Sequence, residues 1–288
     1  MKGEIDYIII GAQKAGTSWI TDRFRELSDF EFMPIKEIHH FNRKYQDSIS
    51  FPTKFKDRLK HKRWVKKVFI YLLVKIFKTG FSFSWIINLL FKDYDDEWYI
   101  NFFKPMKKIK GDNTPCYSIL HLEDIQKMKL LAPNAKIIFC LRNPIDRIWS
   151  SYRFDLTHKF TKKNDGETEM QFFERIALGN FSKDRTNYLE TIKRYKSVYG
   201  ENQMLVTYYD KLKENPKEFL TEIVDFVGGD SANIEKIKGL NNVSNKSVKT
   251  DIPEEYHSKI IKLYRPMMKE MSNKFGSYPK IWYSKLEK

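Results

Sequence analysis

The stretch that decides the fold is DYIIIGAQKAGTSWITDRFREL, residues 6–27. Residues 5–10 are a short β-branched and aromatic run, which predicts a strand buried on both faces. Gly11 and Gly16 then bracket a turn, and apolar residues recur at helical spacing over residues 19–27. A strand, a glycine loop and a helix in this order form the βα unit that holds phosphate groups in many α/β proteins.

The loop itself, GAQKAGTS, combines several features that favour an anion. Its glycines permit tight turns and a close approach of a ligand, and the following helix offers unpaired N–H groups with a partial positive charge. Lys14 adds an ammonium group, while Thr17 and Ser18 add hydroxyl donors. The loop differs from the nucleotide-hydrolysing pattern G-x-x-x-x-G-K-[ST], because its lysine precedes the second glycine. Taken alone, the loop is equally compatible with a structural turn that carries an incidental lysine.

A second anion site is predicted in KIIFCLRNPIDRIWSSY, residues 136–152. Residues 136–141 predict a buried strand, so Arg142 lies at the carboxyl end of a strand, where open α/β sheets bind ligands. Ser150 follows about two turns into the next helix, whose first turn suits Pro144. A guanidinium fork and a hydroxyl suit a phosphate, although either residue alone is compatible with a structural role. Two such sites predict a ligand with two separated phosphate groups.

The rest of the chain alternates between strand and helix patterns. This alternation predicts an α/β fold, with residues 1–288 as one domain. The expected architecture is a three-layer sandwich, in which a mostly parallel central sheet has helices on both faces. Residues 51–103, rich in aromatic residues and lysine, predict an insert of two or three helices. Further strands are predicted at 30–33, 107–110 and 203–208, and helices at 119–131, 142–152, 171–178, 188–198 and 216–227.

Composition narrows the class of partner. The 288 residues are 41% hydrophobic and carry a net charge of +15, which favours anionic partners such as nucleic acid, a membrane surface or phosphorylated small molecules. The basic residues are spread along the chain, so we do not expect a nucleic-acid ligand. Cys116 and Cys140 have no metal-ligand spacing, and we expect no metal and a reduced, cytoplasmic environment. We expect neither a signal peptide nor a membrane span, because the first residues contain only a short apolar run and no stretch reaches about 18 consecutive apolar residues.

Together these motifs resemble those of sulfotransferases that depend on 3′-phosphoadenosine 5′-phosphosulfate (PAPS). GAQKAGTSWI looks like the family's 5′-phosphosulfate loop, and residues 136–152 resemble its 3′-phosphate motif, including the spacing of Arg142 and Ser150. Residues 208–228 and 241–247 are similar to its late strand–helix unit and nucleotide-covering loop. The resemblance covers most of the chain except about 51–94. It implies a fold like that of P-loop-containing nucleoside triphosphate hydrolases, and transfer of a sulfuryl group by in-line displacement.

The resemblance also implies roles at the donor. Lys14 would stabilise the oxygen that bridges phosphate and sulfate, on which negative charge builds as the S–O bond breaks. Arg142 and Ser150 would hold the 3′-phosphate and orient the donor. The 5′ end of the donor would be bound by Lys14, Ala15, Gly16, Thr17, Ser18 and Trp19.

The acceptor must lose a proton, and PIKEIHHF, residues 34–41, offers candidates. This segment resembles one in heparan-type sulfotransferases in which a glutamate is the general base, so the resemblance implies that Glu37 is the base, with His39 as the matching histidine and Lys36 as a donor-site partner. A histidine base, His39 or His40, is the alternative, as in cytosolic sulfotransferases. A surface ion pair is the structural alternative for Glu37.

The acceptor class is open between a glycan and a hydrophobic alcohol such as a sterol or lipid. Glycan enzymes of the family often carry a lysine where this chain has Asn113, and several carry an acid at the position of Asn42. Both departures weaken the expectation of an anionic sugar. Residues 64–91 fit three interpretations: a lid over the acceptor, a basic helix resting on a membrane surface, or an ordinary helix pair.

Two rival functions remain. A P-loop nucleotide kinase or phosphotransferase is disfavoured, because the G-K-[ST] sequence and an evident Mg²⁺-holding acid after a strand are both missing. A basic protein that binds membrane surfaces has only the net charge in its favour. The expected partner is therefore a small-molecule or glycan acceptor. If residues 64–91 contact a membrane surface, the expected location is cytoplasmic and peripheral to the membrane.

Overall fold

A parallel sheet of four strands lies at the centre of the computed structural model, which describes residues 5–32, 37–43, 54–60, 65, 87–88, 91–240 and 250–287. The strands stand in the order β2-β1-β3-β4, and every neighbouring pair is parallel. In the register, Ile8 lies opposite Asp112 on one side and Ile137 on the other. The strands are β1 (Tyr7–Gly11), β2 (Gly111–Asn113), β3 (Lys136–Leu141) and β4 (Met204–Tyr208).

The two central strands are buried on both faces, as their continuous apolar runs predict. Ile8, Ile9 and Ile10 of β1 are buried, and so are Ile137 and Ile138 of β3. Helices around the sheet exclude water from both faces. The predicted α/β fold with a parallel sheet is therefore confirmed, and β3 occupies the predicted residues 136–141.

The strand order creates a crevice at one end of the sheet. The chain passes from β1 to β2 on one side, and then returns across β1 to β3 on the other side. In doubly wound sheets, ligands bind at the carboxyl ends of the strands where the direction of winding reverses. In this order that position lies between β1 and β3, the two strands that precede the predicted anion sites.

Helices connect and flank the strands. The predicted helices at 171–178, 188–198 and 216–227 are present within two residues of their predicted bounds. The helices of the described residues are α1 (Thr17–Phe24), α2 (Phe55–Leu59), α3 (Asp96–Asn101), α4 (Leu122–Leu131), α5 (Pro144–His158), α6 (Glu169–Ala177), α7 (Asn180–Thr186), α8 (Tyr188–Tyr199), α9 (Tyr209–Glu214), α10 (Pro216–Phe226), α11 (Glu254–Phe275) and α12 (Ser277–Ser284), with 3₁₀ turns at Pro115–Ile119, Glu201–Gln203 and Ser231–Lys236.

Two predicted strands are wrong. In the described part of the first, residues 30–32, a single parallel bridge joins Phe30 to Ile109, and residues 107–110 form no strand beyond that bridge. The side chain of Glu31 accepts a hydrogen bond from the backbone N–H of Lys107 at 2.8 Å. This carboxylate takes the place of the carbonyl oxygen to which the N–H would donate in a β-sheet. The strand begins instead at Gly111, where a Cβ would lie 2.4 Å from the carbonyl oxygen of Tyr7.

The sequence patterns also missed the C-terminal helices. The buried residues of α11 are Ile260, Tyr264, Met268 and Met271, a spacing of three to four that forms one apolar face. The described part of the insert at 51–103 contains α2 and α3. Apart from Val65, Ile87, Asn88 and Phe91, residues 64–91 lie outside the described residues, as do Lys36 and residues 241–247. None of the described helices combines the length and the apolar character needed to cross a bilayer.

Candidate active site

The glycine loop after β1 packs tightly against α9. Gly16 caps α1 with φ +87°, and a Cβ there would lie 3.1 Å from side-chain carbons of Tyr209 and Leu212. Only glycine accepts this backbone angle without strain, and only glycine leaves space for the neighbouring helix. The close packing fixes the position of the loop relative to β4 and α9.

The start of α1 presents backbone donors at the end of the loop. The first bond within the helix runs from the N–H of Ile20 to the carbonyl oxygen of Gly16, at 3.1 Å. The N–H groups of Thr17, Ser18 and Trp19 precede it in the first turn of α1, which is the end of a helix at which anions bind. The side chain of Trp19 is buried and packs 6.0 Å from the ring of Phe219, so this residue would contribute through its main chain.

Lys14 lies inside this site, with a positive backbone φ of 69°. Its ammonium group sits 3.7 Å from the centroid of the Phe154 ring, a favourable cation–π distance. Burial, together with the charges of Arg142 and Arg153, lowers the pKa of Lys14 to about 8. Lys14 therefore lies in a strongly electropositive pocket, and a bound anion would offset the repulsion among its positive charges.

Arg142 joins the two predicted anion sites. Its guanidinium donates to the carbonyl oxygen of Lys14 at 2.8 Å and lies 4.9 Å from the centroid of the Tyr209 ring. The Nε atom of Arg142 is buried without a hydrogen-bond partner, which leaves one donor for a ligand. Ser150 is buried two turns along α5. The ends of β1 and β3 thus bring Lys14 and Arg142 together at one edge of the sheet.

Glu37 and His39 form a pair on the segment that follows α1. The imidazole Nε2 of His39 lies 3.4 Å from a carboxylate oxygen of Glu37, and Nδ1 lies 3.2 Å from the amide of Asn42. Both residues have positive φ angles, 56° and 54°. An imidazole held between an amide and a carboxylate can orient the carboxylate and pass a proton to it.

His40 has a different environment from its neighbour. It is buried, stacks on the ring of Tyr99 at 4.7 Å, and places Nε2 2.9 Å from the carboxylate of Asp96. Burial lowers the pKa of His40, and the hydrogen bond to Asp96 opposes that shift. Its backbone N–H donates to the hydroxyl of Tyr117 at 3.0 Å. These contacts favour a structural role for His40.

A buried carboxylate supports this segment and was not predicted from the sequence. Asp112 of β2 is fully buried and accepts from the hydroxyls of Thr114 at 2.7 Å, Tyr117 at 2.9 Å and Tyr99 at 3.1 Å. Burial raises the pKa of Asp112, and these three hydrogen bonds oppose the increase. Because Tyr117 also accepts from His40, the cluster anchors residues 37–43 to the sheet.

Asn113 of β2 connects this strand to α1. Its side-chain amide donates to the carbonyl oxygen of Thr17 at 2.9 Å and to the hydroxyl of Thr21. The amide thereby links β2 to the helix that follows the glycine loop.

Arg185 of α7 is a site residue that the sequence patterns missed. Its guanidinium donates to the side chain of Gln13, the residue before Lys14, and lies 3.2 Å from the sulfur of Cys116. It also stacks 3.7 Å from the centroid of the Phe181 ring. No motif surrounds this arginine in the sequence, so only the three-dimensional contacts could identify it.

Among the described residues, no group of three or more histidine, cysteine, aspartate or glutamate side chains could hold a metal ion. The groups gathered at this edge of the sheet are the cations Lys14 and Arg142, the backbone donors of α1 and the Glu37–His39 pair. These groups suit a phosphate-bearing ligand and the removal of a proton.

Comparison with known proteins gives the family of the chain. Residues 4–277 match the model of a family described as the sulfotransferase domain. The chain is similar to the bifunctional heparan sulfate N-deacetylase/N-sulfotransferase 4 of Mus musculus, with 25% identity over 146 residues, covering 46% of this chain and 16% of that protein. It is also similar to the 3-alpha-hydroxysteroid sulfotransferase of Cavia porcellus, with 26% identity over 137 residues, covering 47% and 46%.

The matches therefore span less than half the length of either curated relative. Among solved structures, a sulfotransferase from Alicyclobacillus acidocaldarius is similar with a TM-score of 0.64, covering 97% of this chain and 99% of that chain at 16% identity. At this level of identity the structural likeness supports the fold.

Proposed function

The chain belongs to the sulfotransferase domain family, and we propose that it transfers a sulfuryl group from PAPS to an acceptor hydroxyl or amine by in-line displacement. The observation that carries this proposal is the contact between Arg142 and Lys14, 2.8 Å long, which unites the carboxyl ends of β1 and β3. A donor with a 5′-phosphosulfate and a separate 3′-phosphate matches two adjacent cationic positions better than a nucleotide with a single phosphate chain.

The groups at the site fit the donor. The N–H groups of Thr17, Ser18 and Trp19 would hold the 5′-phosphate at the start of α1. The unpartnered Nε of Arg142 and the hydroxyl of Ser150 would hold the 3′-phosphate. That second contact orients the donor and discriminates against nucleotides that lack a 3′-phosphate.

In the transfer step, the acceptor oxygen or nitrogen attacks sulfur while the bond from sulfur to the bridging oxygen breaks. The electron pair of the broken bond stays on that oxygen and becomes part of adenosine 3′,5′-bisphosphate. Lys14 stabilises the developing negative charge because its ammonium group is already positioned in the loop. Its lowered pKa also allows it to give up a proton more readily than an ordinary lysine.

The acceptor proton goes to the carboxylate of Glu37 as the new bond to sulfur forms. His39, 3.4 Å away, orients this carboxylate and offers a route for the proton to leave. His39 itself as the base is the second candidate, since its ring lies in the same pair. His40 is hydrogen-bonded to Asp96 and stacked on Tyr99, so it is a weaker candidate for the general base.

The acceptor that we propose is a hydroxyl-bearing glycan or a hydrophobic alcohol. The names of the two curated relatives refer to heparan sulfate and to a 3-alpha-hydroxysteroid, one from each class. Asn113 braces α1 through Thr17 and supplies no positive charge for an anionic sugar. An uncharged acceptor therefore fits the described residues better than a highly sulfated one.

The proposal is tested by ligand-dependent stability and by transfer. We expect adenosine 3′,5′-bisphosphate to raise the melting temperature, because a ligand that binds only the folded state stabilises it. Transfer of labelled sulfate from PAPS across a panel of sugars, sterols, phenols and lipids should then identify the acceptor class. Stabilisation by ATP with Mg²⁺ but not by the bisphosphate would instead support the kinase alternative.

A further inference from the structure

The helix α9 contacts both predicted anion sites. Its residues Tyr209 and Leu212 lie against Gly16 of the glycine loop, where an added Cβ would be 3.1 Å from a side-chain carbon of each. The guanidinium carbon of Arg142 lies 4.9 Å from the centroid of the Tyr209 ring. Tyr209 and Leu212 are three residues apart, a spacing that places them on one face of a helix. This face of α9 therefore supports the glycine loop and Arg142 together.

Another face of α9 is bonded to α12. Trp282, which is 3% exposed, donates its indole N–H to a carboxylate oxygen of Asp210 at 3.2 Å. The hydroxyl of Tyr278 donates to the carboxylate of Glu214. Asp210 and Glu214 are four residues apart, so they too share one face of the helix. The rings of Tyr278 and Trp282 also pack on Tyr208, the last residue of β4, with centroid distances of 5.4 and 5.8 Å.

α9 is too short to hold its position alone. It has six residues, and a helix of this length is not stable without tertiary contacts. Lys211 ties it to Glu222 of α10 at 2.7 Å, but these side chains are 35% and 30% exposed, and such an ion pair contributes little. The bond from the buried Trp282 is therefore the stronger support. The residues that match the family model end at 277, so α12 lies beyond them apart from its first residue.

We propose that Trp282 is a positioning residue for the donor site, whose bond to Asp210 holds α9 against the glycine loop and Arg142. This inference rests on the proposed function, because the site that it concerns is the donor site. α12 acts on the donor indirectly, through a helix that has one face on the loop and another on α12. The expected effect is on donor binding, and the transfer step with the donor bound should be unaffected.

The test compares Trp282→Phe with the wild type in calorimetric titrations with adenosine 3′,5′-bisphosphate. Phenylalanine keeps much of the buried ring and removes the indole N–H. We expect the dissociation constant to rise about fivefold, the scale of one hydrogen bond. In transfer assays, KM for PAPS should rise by a similar factor while kcat changes little. A merely structural role would lower the free energy of unfolding but would leave the affinity of the folded protein unchanged.

Substitutions of Asp210 test the same bond from its other side. Asp210→Asn keeps an oxygen that can accept from the indole N–H, and it should bind the bisphosphate nearly as the wild type does. Asp210→Ala removes the acceptor and should weaken binding about as much as Trp282→Phe. The double variant should bind no more weakly than either single variant, because both substitutions remove the same bond.

Trp98→Phe is the matched control. Trp98 is also 3% exposed and also donates its indole N–H, to the carbonyl oxygen of Asn88 at 2.9 Å, but it belongs to α3. Loss of this bond should leave bisphosphate affinity unchanged. A measurement without ligand accompanies the titrations, since amide hydrogen exchange reports local opening. Exchange of residues 12–20 should become faster in Trp282→Phe but not in Trp98→Phe, and exchange in β3 should stay the same in both.

The outcomes separate this inference from the proposed function. Bisphosphate affinity that does not fall, or loop exchange that does not quicken, in folded Trp282→Phe and Asp210→Ala overturns the role of Trp282. Equal weakening in Trp98→Phe also overturns it. If Trp282→Phe fails to fold, Asp210→Ala decides the question. A wild-type protein that neither binds the bisphosphate nor transfers sulfate from PAPS overturns the proposed function instead, and the exchange measurement then still decides whether Trp282 positions the loop.

Discussion

In the proposed reaction, Lys14 takes part both in binding the donor and in the chemical step. Its ammonium group rests on the Phe154 ring, and burial together with Arg142 and Arg153 lowers its pKa to about 8. A lysine with this pKa is mostly charged at neutral pH, and an incoming phosphate favours its charged form further. The cation–π contact also keeps the side chain ordered inside the loop before a ligand arrives.

The lowered pKa predicts how donor affinity depends on pH. Lys14 is charged below about 8 and loses its charge as the pH rises through that value. Adenosine 3′,5′-bisphosphate should therefore bind about tenfold more weakly at pH 9.5 than at pH 7. Isothermal titration calorimetry at a series of pH values measures this. Lys14→Arg, which keeps its charge, should show a flat profile over the same range, and an equally flat wild-type profile would contradict the assignment.

A second residue-scale prediction compares two adjacent serines of α5. Ser150 is 5% exposed and belongs to the predicted 3′-phosphate site, whereas Ser151 is half-buried and does not. Ser150→Ala should weaken bisphosphate binding by about tenfold, because a hydrogen bond to a charged group contributes about 1.5 kcal/mol or more. Ser151→Ala should have no effect. Binding of adenosine 5′-monophosphate should be insensitive to both substitutions, and a loss there would place Ser150 elsewhere in the site.

At the scale of the element, the glycine loop depends on one close approach. Gly16 and Gly228 both have positive φ angles, +87° and +82°. An added Cβ at Gly16 would meet Tyr209 and Leu212 at 3.1 Å, but an added Cβ at Gly228 would meet nothing within 4 Å. Alanine at Gly228 therefore introduces backbone strain alone, whereas alanine at Gly16 introduces both backbone strain and steric crowding.

We expect Gly228→Ala to lower the free energy of unfolding by about 1 kcal/mol and to leave bisphosphate affinity unchanged. Gly16→Ala should cost at least as much stability and should also weaken the bisphosphate by tenfold or more, because α9 or the loop must shift. Urea denaturation and calorimetry measure the two effects. Equal behaviour of the two variants would show that the loop tolerates a side chain.

Elements with a strong local sequence pattern could be predicted, and elements held by distant contacts could not. The run KIIFCL is continuous, apolar and bounded by polar residues, so β3 was predicted at its observed bounds. β2 consists of Gly-Asp-Asn, residues with low strand propensity, and was missed because its pairing comes from Tyr7 and from the buried hydrogen bonds of Asp112. Lys14 and Arg142 were found through motifs, whereas Arg185 joins the site only through contacts far apart in sequence.

At the scale of the whole molecule, charge and topology act together. The net charge of +15 attracts anionic ligands from solution. The order β2-β1-β3-β4 then places the crevice between β1 and β3, where Lys14 and Arg142 meet. General attraction by the protein surface and specific capture at the strand ends therefore favour the same class of ligand.

The hydrogen bond between Arg142 and Lys14 joins residues 128 positions apart, which has a consequence for protein synthesis. At roughly 5–20 residues per second, a ribosome makes the glycine loop roughly 6–26 s before it makes Arg142. During that interval β1 lacks its neighbour β3 along one edge, and the nascent chain has only half of its nucleotide site. A ligand that needs both Lys14 and Arg142 can therefore stabilise this chain only after about half of its 288 residues have been made.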